Sequence, residues 1–265
     1  MGIVENASED LPYTAYECQT LATQYDIAPN QRLQRHQATA AECQKLAKQV
    51  QILHLSHHAS ANLENSLDSQ LTMHDRAITL REIMTWRIIT LLEVYLNNCE
   101  THYSIADISD NILTIATGFL CAGARSVIST LWSVDDCSSA LLALFYYDLR
   151  HAGLSRSQAL QQAQQKLRTL TGQELQQTYY QQLDHHLQQQ FEEALLREDE
   201  AKKNYNLAPK DSPEAQKWTE ASQKTKDFAE KLAYQRQQVL PNMCQQPYPF
   251  ANPFYWAGFI SQGLA

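Results

Sequence analysis

The chain has 265 residues, 44% of them hydrophobic, a formal net charge of -8 and six cysteines. That length and apolar content support a full-sized globular core, whereas the acidic balance removes the electrostatic basis for general nucleic-acid binding, which needs clustered Lys and Arg. No run of about 18 apolar residues is present to span a bilayer, and the start lacks the basic region and apolar core of a secretory leader. The cysteines are scattered without a C-x-x-C pair. They read as free thiols in a reducing, cytoplasmic compartment, with neither nucleic acid nor membrane as partner.

In chain order, a short apolar start precedes Leu11 to Tyr25, whose apolar positions recur at helical spacing. Thr39-Ala40-Ala41-Glu42 carries the S/T-x-x-E pattern in which side chains at both ends satisfy orphan N–H groups, so a helix is expected from there to about Lys48. Val50 to Ser56 follows as a central strand that stops at His57-His58. The polar stretch from Ser60 to Arg76 is long for a connection in a compact domain, so it is either mobile or functional. Thr79-Leu80-Arg81-Glu82 repeats the capping pattern for a short helix through Trp86, and Ile88 to Leu96 forms a second strand ending at Asn97-Asn98-Cys99-Glu100. Strand, helix, strand in this order implies a parallel pair with a crossover helix.

Ile112, Ile115, Ala116, Phe119 and Leu120 then mark one buried helix face, closed by Gly123. Arg125 to Leu131 is a third strand, Asp135-Asp136 starts a helix from Cys137 to His151, and Ser155 to Gln158 caps another that ends near Gly172. From Gln173 to Leu240 the chain is glutamine-rich, charged and broken between Asn206 and Pro213. Its apolar positions predict two antiparallel helices, a helical hairpin inserted at 173–240 into a single domain spanning 1–265; disorder is the alternative that its polarity leaves open. Phe254 to Ile260 is read as a final apolar strand.

Two of these runs end in groups that form a reactive pair. His58 and Cys99 lie 41 residues apart, one strand-helix-strand unit, which brings two parallel strand ends side by side. A thiol attacks only as thiolate, so it needs a base close by, and histidine can take the proton and return it to a leaving amine. The plain alternative is that Cys99 packs as a small hydrophobe and His58 sits in a loop. His54, His57 and His58 form an H-x-x-H-H run, but strand alternation puts His54 and His58 on one face and His57 on the other. No further ligand spacing accompanies them, so no metal is expected. Asp135 and Asp136 serve in the first instance as helix-start groups.

Val50 to Ala59, Cys99-Glu100-Thr101, Ala122 to Asp136 and Phe254 to Phe259 together resemble the CHAT-domain family of caspase-like and separase-like cysteine peptidases. The resemblance runs in order from about Val4 to Gly263 apart from the helical insertion. It implies an α/β fold, a caspase-like three-layer sandwich with a mostly parallel central sheet, and a His58–Cys99 dyad cleaving a protein or peptide substrate without cofactor. It further implies backbone N–H groups of Ala59 and Cys99 as the oxyanion donors. Asp136, with Asp135 beside it, would face a basic substrate side chain, and a regulatory protein partner or a homo-oligomer would control the site. Departures from the family pattern are Ala59 in place of glycine, Asn97-Asn98 in place of Ser-Ala, His102 in place of a small residue, and an N-terminal part that looks shorter than the family's. A catalytically silent CHAT-like interaction or scaffold module is the second reading these departures leave open.

Overall fold

The computed structural model describes residues 1–5, 10–62, 64–97 and 114–264. The chain divides into two compact units, one made of Met1–Thr169 with Phe250–Ala265 and the other of Leu170–Pro249. Among the described residues no helix is long and apolar enough to cross a membrane.

The first unit is a mixed α/β structure built on a six-stranded sheet. Its strands are β1 (Gly2–Glu5), β2 (Arg32–Gln34), β3 (Ile52–Ser56), β7 (Glu93–Leu96), β8 (Ser126–Thr130) and β9 (Phe259–Gly263), in the order β2-β1-β3-β7-β8-β9. A separate small sheet holds β4 (Ala59–Ser60), β5 (Gln70–Thr72) and β6 (Ala77–Thr79). All neighbours in the large sheet are parallel except β8 and β9. The helices are α1 (Thr14–Gln24), α2 (Ala40–Gln49), α3 (Leu80–Ile83), α4 (Ile115–Ala122), α5 (Asp136–His151) and α6 (Arg156–Thr169).

Strand alternation sorts side chains between two faces. Val4, Leu53, Leu55, Val94, Leu96 and Val127 pack with Cys43, Leu46 and Ala47 of α2 and Ile115, Ala116 and Phe119 of α4 in one apolar cluster. The opposite face carries Ile3, His54, Ser56, Glu93, Tyr95, Asn97 and Ile128, all buried. There α1 and α5 lie over the sheet, and Tyr146 and Tyr147 of α5 set their rings against Tyr95. Coverage on both faces explains why β3 reads as a near-continuous apolar run. On this face Glu93 accepts from Tyr146 Oη at 2.8 Å and from Arg156 Nε at 2.8 Å.

Local chemistry accounts for the helix limits. Thr39, Thr79 and Asp135 each accept a backbone N–H from three residues on, and so cap α2, α3 and α5. Thr114 and Thr117 form a reciprocal capping box at the start of α4, and Gly123 ends that helix at φ +115°, a conformation that side chains strain to reach.

Several segments differ from the sequence expectation. The stretch from Ser60 to Arg76 is structured: Leu71 and Ile78 pair across β5 and β6, and both are buried. One buried residue per short strand was too weak a period to read. The second central strand is shorter than Ile88–Leu96 and begins at Glu93, after a turn in which Leu91 N–H bonds to Ile88 O at 2.9 Å. The last strand starts later than Phe254, because Pro253–Tyr255 closes a tight turn and pairing with β8 begins at Phe259. Ile112 lies outside the described residues; α4 is described from Ile115.

The second unit is helical. It contains α7 (Gly172–Glu174), α8 (Tyr180–Leu207), α9 (Pro213–Tyr234) and α10 (Leu240–Gln245), with wider π turns at Leu175–Tyr179 and Gln235–Val239. Residues 208–212 join α8 to α9, with Ser212 capping α9 and Pro213 at its first position. The two long helices pack along one another. Arg236, just past α9, donates to Asp184 Oδ1 at 2.7 Å and also to Gln188, both near the start of α8, so α9 returns alongside α8. Leu183, Leu187, Ala194, Ala201, Phe228, Ala229 and Leu232 are buried, which is how a glutamine-rich segment orders: one thin apolar seam under polar surfaces.

Candidate active site at the strand ends

β1 and β3 are neighbours, yet β1 leads into α1 on one face while β3 leads into the small sheet on the other. In open α/β sheets such a divergence is where the working crevice lies, outside the carboxyl ends of the strands. His58 stands there, two residues beyond the end of β3, with its side chain about one-third exposed. Its Nε2 lies 2.9 Å from Oδ1 of Asp10, which follows β1 and is 41% exposed. With the proton on Nε2 and donated to Asp10, Nδ1 is the basic nitrogen of the ring.

His57 has a different task. It is 1% exposed, its Nδ1–H donates to His58 O at 2.9 Å, and burial lowers its pKa to about 4. It is a neutral structural ring that fixes the turn presenting His58.

Ala59 belongs to β4 and stands opposite Leu71 of β5. Thr72 N–H bonds to His58 O at 2.9 Å, so positions 58 and 72 form the hydrogen-bonded pair and 59 and 71 the non-bonded one. The N–H of Ala59 therefore points away from β5. Its φ is not positive, and alanine at this place gives up nothing that glycine would supply.

β3 and β7 are adjacent and parallel, with Leu55 opposite Leu96, and Asn97 N–H continues the ladder to Leu55 O at 2.8 Å. His58 follows Leu55 by three residues and Cys99 follows Leu96 by three. Cys99, with Asn98 and Glu100, lies outside the described residues, and so does His102. Of the described thiols, burial pushes Cys18, Cys43 and Cys244 upward, Cys43 to about 12, which makes them poor nucleophiles.

Both aspartates at the start of α5 have structural work. Asp135 Oδ1 accepts from Ser138 N–H at 2.8 Å as the helix cap, and burial raises its carboxyl group. Asp136 Oδ2 accepts from Tyr13 N–H at 2.7 Å. This ties the segment after β1 to α5, three residues from the aspartate that meets His58.

Two acids in this region escaped sequence reading. Asp10 carries no pattern in the sequence. Glu17 offered a faint one, a carboxylate at 17 within the apolar positions Tyr13, Tyr16, Cys18 and Leu21 of α1. It is fully buried, with Asn97 Nδ2 2.9 Å from Oε1 and 2.8 Å from Oε2, Ser56 Oγ 2.9 Å from Oε2 and His54 Nε2 3.0 Å from Oε1.

Glu17, Cys18 and His54 bring three potential metal-ligand atoms within 4.8 Å of one another. The donor chemistry does not suit a cation. Both Glu17 oxygens already receive hydrogen bonds, the site is sealed from solvent, and burial with the charges of Glu5 and Glu17 raises the Cys18 thiol far above its ordinary value.

No curated protein matches the chain. A protein-family model does: that of the CHAT domain, associated with caspase-like peptidases, matches residues 4–264. By a match over nearly its whole length, the chain belongs to the CHAT-domain family.

Proposed function

We propose that the chain is a caspase-like cysteine endopeptidase acting through His58 and Cys99, with Asp10 orienting the imidazole. The observation that carries this reading is the His58–Asp10 pair at the crevice, on a strand whose parallel neighbour leads at equal offset into Cys99. Asp10 holds Nε2–H, Nδ1 takes the thiol proton, the thiolate attacks the peptide carbonyl and the imidazolium returns the proton to the leaving amine. Water then releases the acyl group from Cys99, activated by the same imidazole. The Ala59 N–H, directed away from β5, serves as one oxyanion donor and the Cys99 N–H as the other; a lost donor in acyl-transfer sites costs roughly 3 kcal/mol.

The wider reading includes a caspase-like three-layer arrangement, a cytoplasmic protein or peptide substrate, and control by a protein partner or by self-association. It needs no cofactor. Residues 173–240 are an inserted helical hairpin in a single CHAT domain. For specificity, Asp136 is the candidate acid toward a basic substrate side chain.

The test is mass-spectrometric mapping of adducts from peptidyl acyloxymethyl ketones with basic, acidic or apolar residues next to the warhead. Cys121, exposed on α4, is the internal control. Selective labelling of Cys99 is expected, abolished by His58→Ala and reduced about tenfold by Asp10→Asn, with Asp136→Asn erasing any preference for basic probes. Labelling of Cys121 and Cys99 at equal rates would sink the peptidase and leave the silent interaction module. That second reading draws on Asn97, whose amide is engaged inside the fold at a position where the family resemblance leads one to expect serine.

A further inference from the structure

Beneath the crevice, the second face of the sheet carries a polar row that the proposed reaction does not use. Ser56 is the last residue of β3 and Asn97 the first beyond β7. They stand side by side, because Leu55 pairs with Leu96 one step earlier. Both side chains donate to one carboxylate, Glu17, which reaches them from the first turn of α1. His54, two residues earlier in β3, places Nε2 3.0 Å from Oε1 of the same group, and Thr14 Oγ1 is 3.3 Å from Ser56 Oγ. Glu17, His54 and Ser56 are each at most 1% exposed, and Asn97 is 8% exposed.

Only a carboxylate of this reach offers acceptors on both oxygens to the Ser56 hydroxyl and the Asn97 amide, donors from two strands. Water has no access to replace it, and a neutral amide at position 17 would turn an N–H₂ group toward the Asn97 N–H₂. The backbone ladder already sets β3 beside β7 and, among the described residues, reaches Asn97 N–H.

We infer that Glu17 is a positioning residue, a buried carboxylate bridge that fixes the separation of the strand ends from which His58 and Cys99 continue. The inference rests on the proposed peptidase only for its kinetic consequence. The bridge itself is a property of the fold, and the two are separable by experiment.

Glu17→Gln, Asn97→Asp and the double variant are compared with the full-length protein. In the double variant the amide and carboxylate exchange places, and donor again meets acceptor. Hydrogen exchange at the amides of residues 55–58 and 95–97 should accelerate at least tenfold in each single variant and return toward the starting rate in the double variant. The inactivation rate constant for the acyloxymethyl ketone should follow the same order, with a tenfold or greater drop at unchanged inhibitor affinity. Should Glu17→Gln not fold, recovery of folding in the double variant supports the bridge, and Asn97→Ser, which removes one donor arm, supplies the kinetic comparison. Exchange rates unaltered by Glu17→Gln, or no recovery on swapping, would overturn the inference. Absence of Cys99 labelling in the unmodified protein would instead remove the peptidase reading, and the exchange data would still decide the bridge.

Discussion

Burial gives adjacent histidines opposite roles. His57 and His58 are identical in the sequence, but one is sealed under the turn and the other meets Asp10 at the crevice. The sealed ring has a measurable signature. Its folded-state pKa is about 4, below the ordinary 6.5, so between those values the unfolded chain binds a proton that the folded chain refuses. Stability from this group is complete above pH 6.5 and falls as pH drops toward 4, by about 3 kcal/mol in all. Urea unfolding midpoints of the protein and of His57→Gln across pH 4–7 should converge at the acid end, because the variant lacks this slope. A constant gap between the two curves would show that His57 does not carry it.

Strand alternation in the sequence sets His57 apart from His54 and His58, but β3 ends at Ser56, and what separates His57 from His58 in the fold is burial. The partners were not legible. Asp10 and Glu17 act across 48 and 80 residues, on His58 and Asn97, and such pairings have no local pattern to betray them.

At the scale of elements, capping chemistry was the most readable part of the chain. Thr39, Thr79 and Asp135 cap where the S/T-x-x-E pattern and the acidic pair predict. Gly123 closes α4 in the left-handed region, and a Cβ there would sit 3.3 Å from the Ile89 side chain. Gly123→Ala should therefore destabilise the protein by about 1–2 kcal/mol, the ordinary cost of forcing an L side chain into that conformation. A thermal midpoint lower by several degrees with native circular dichroism is the expected result, and an unchanged midpoint would contradict the strained cap. The small antiparallel sheet stayed hidden because its strands are two or three residues long, too short for alternation to register. The first part of the run from Ile88 misled for the complementary reason: Ile88 and Leu91 are buried in a turn, and burial alone mimics a strand.

For the whole molecule, Leu170–Pro249 forms its own compact body, and the sequence changes composition at Gln173, near the start of that body. Replacing that unit by a short Gly/Ser linker should leave Met1–Thr169 with Phe250–Ala265 unfolding as one cooperative transition, with much less helical signal. Loss of cooperative unfolding in the shortened protein would show that the sheet unit depends on the helical one. The parallel order of the large sheet was legible from the alternation of strands and helices. The antiparallel pairing of β9 with β8 was not, because its partner lies more than 120 residues earlier in the chain.

Asp10, His58 and the Glu17–Asn97 pair buried beneath them come from separate lengths of polypeptide: Asp10 and Glu17 from the first crossover, His58 from just beyond β3, and Asn97 from just beyond β7. During synthesis these arrive one after another, and β8 must still emerge to close the far side of β7. A ribosome-bound or partly unfolded copy thus carries ordinary, unactivated thiols. The proposed peptidase would be harmless while being made, its reactivity appearing only with the last parallel pairings and vanishing at once when they open.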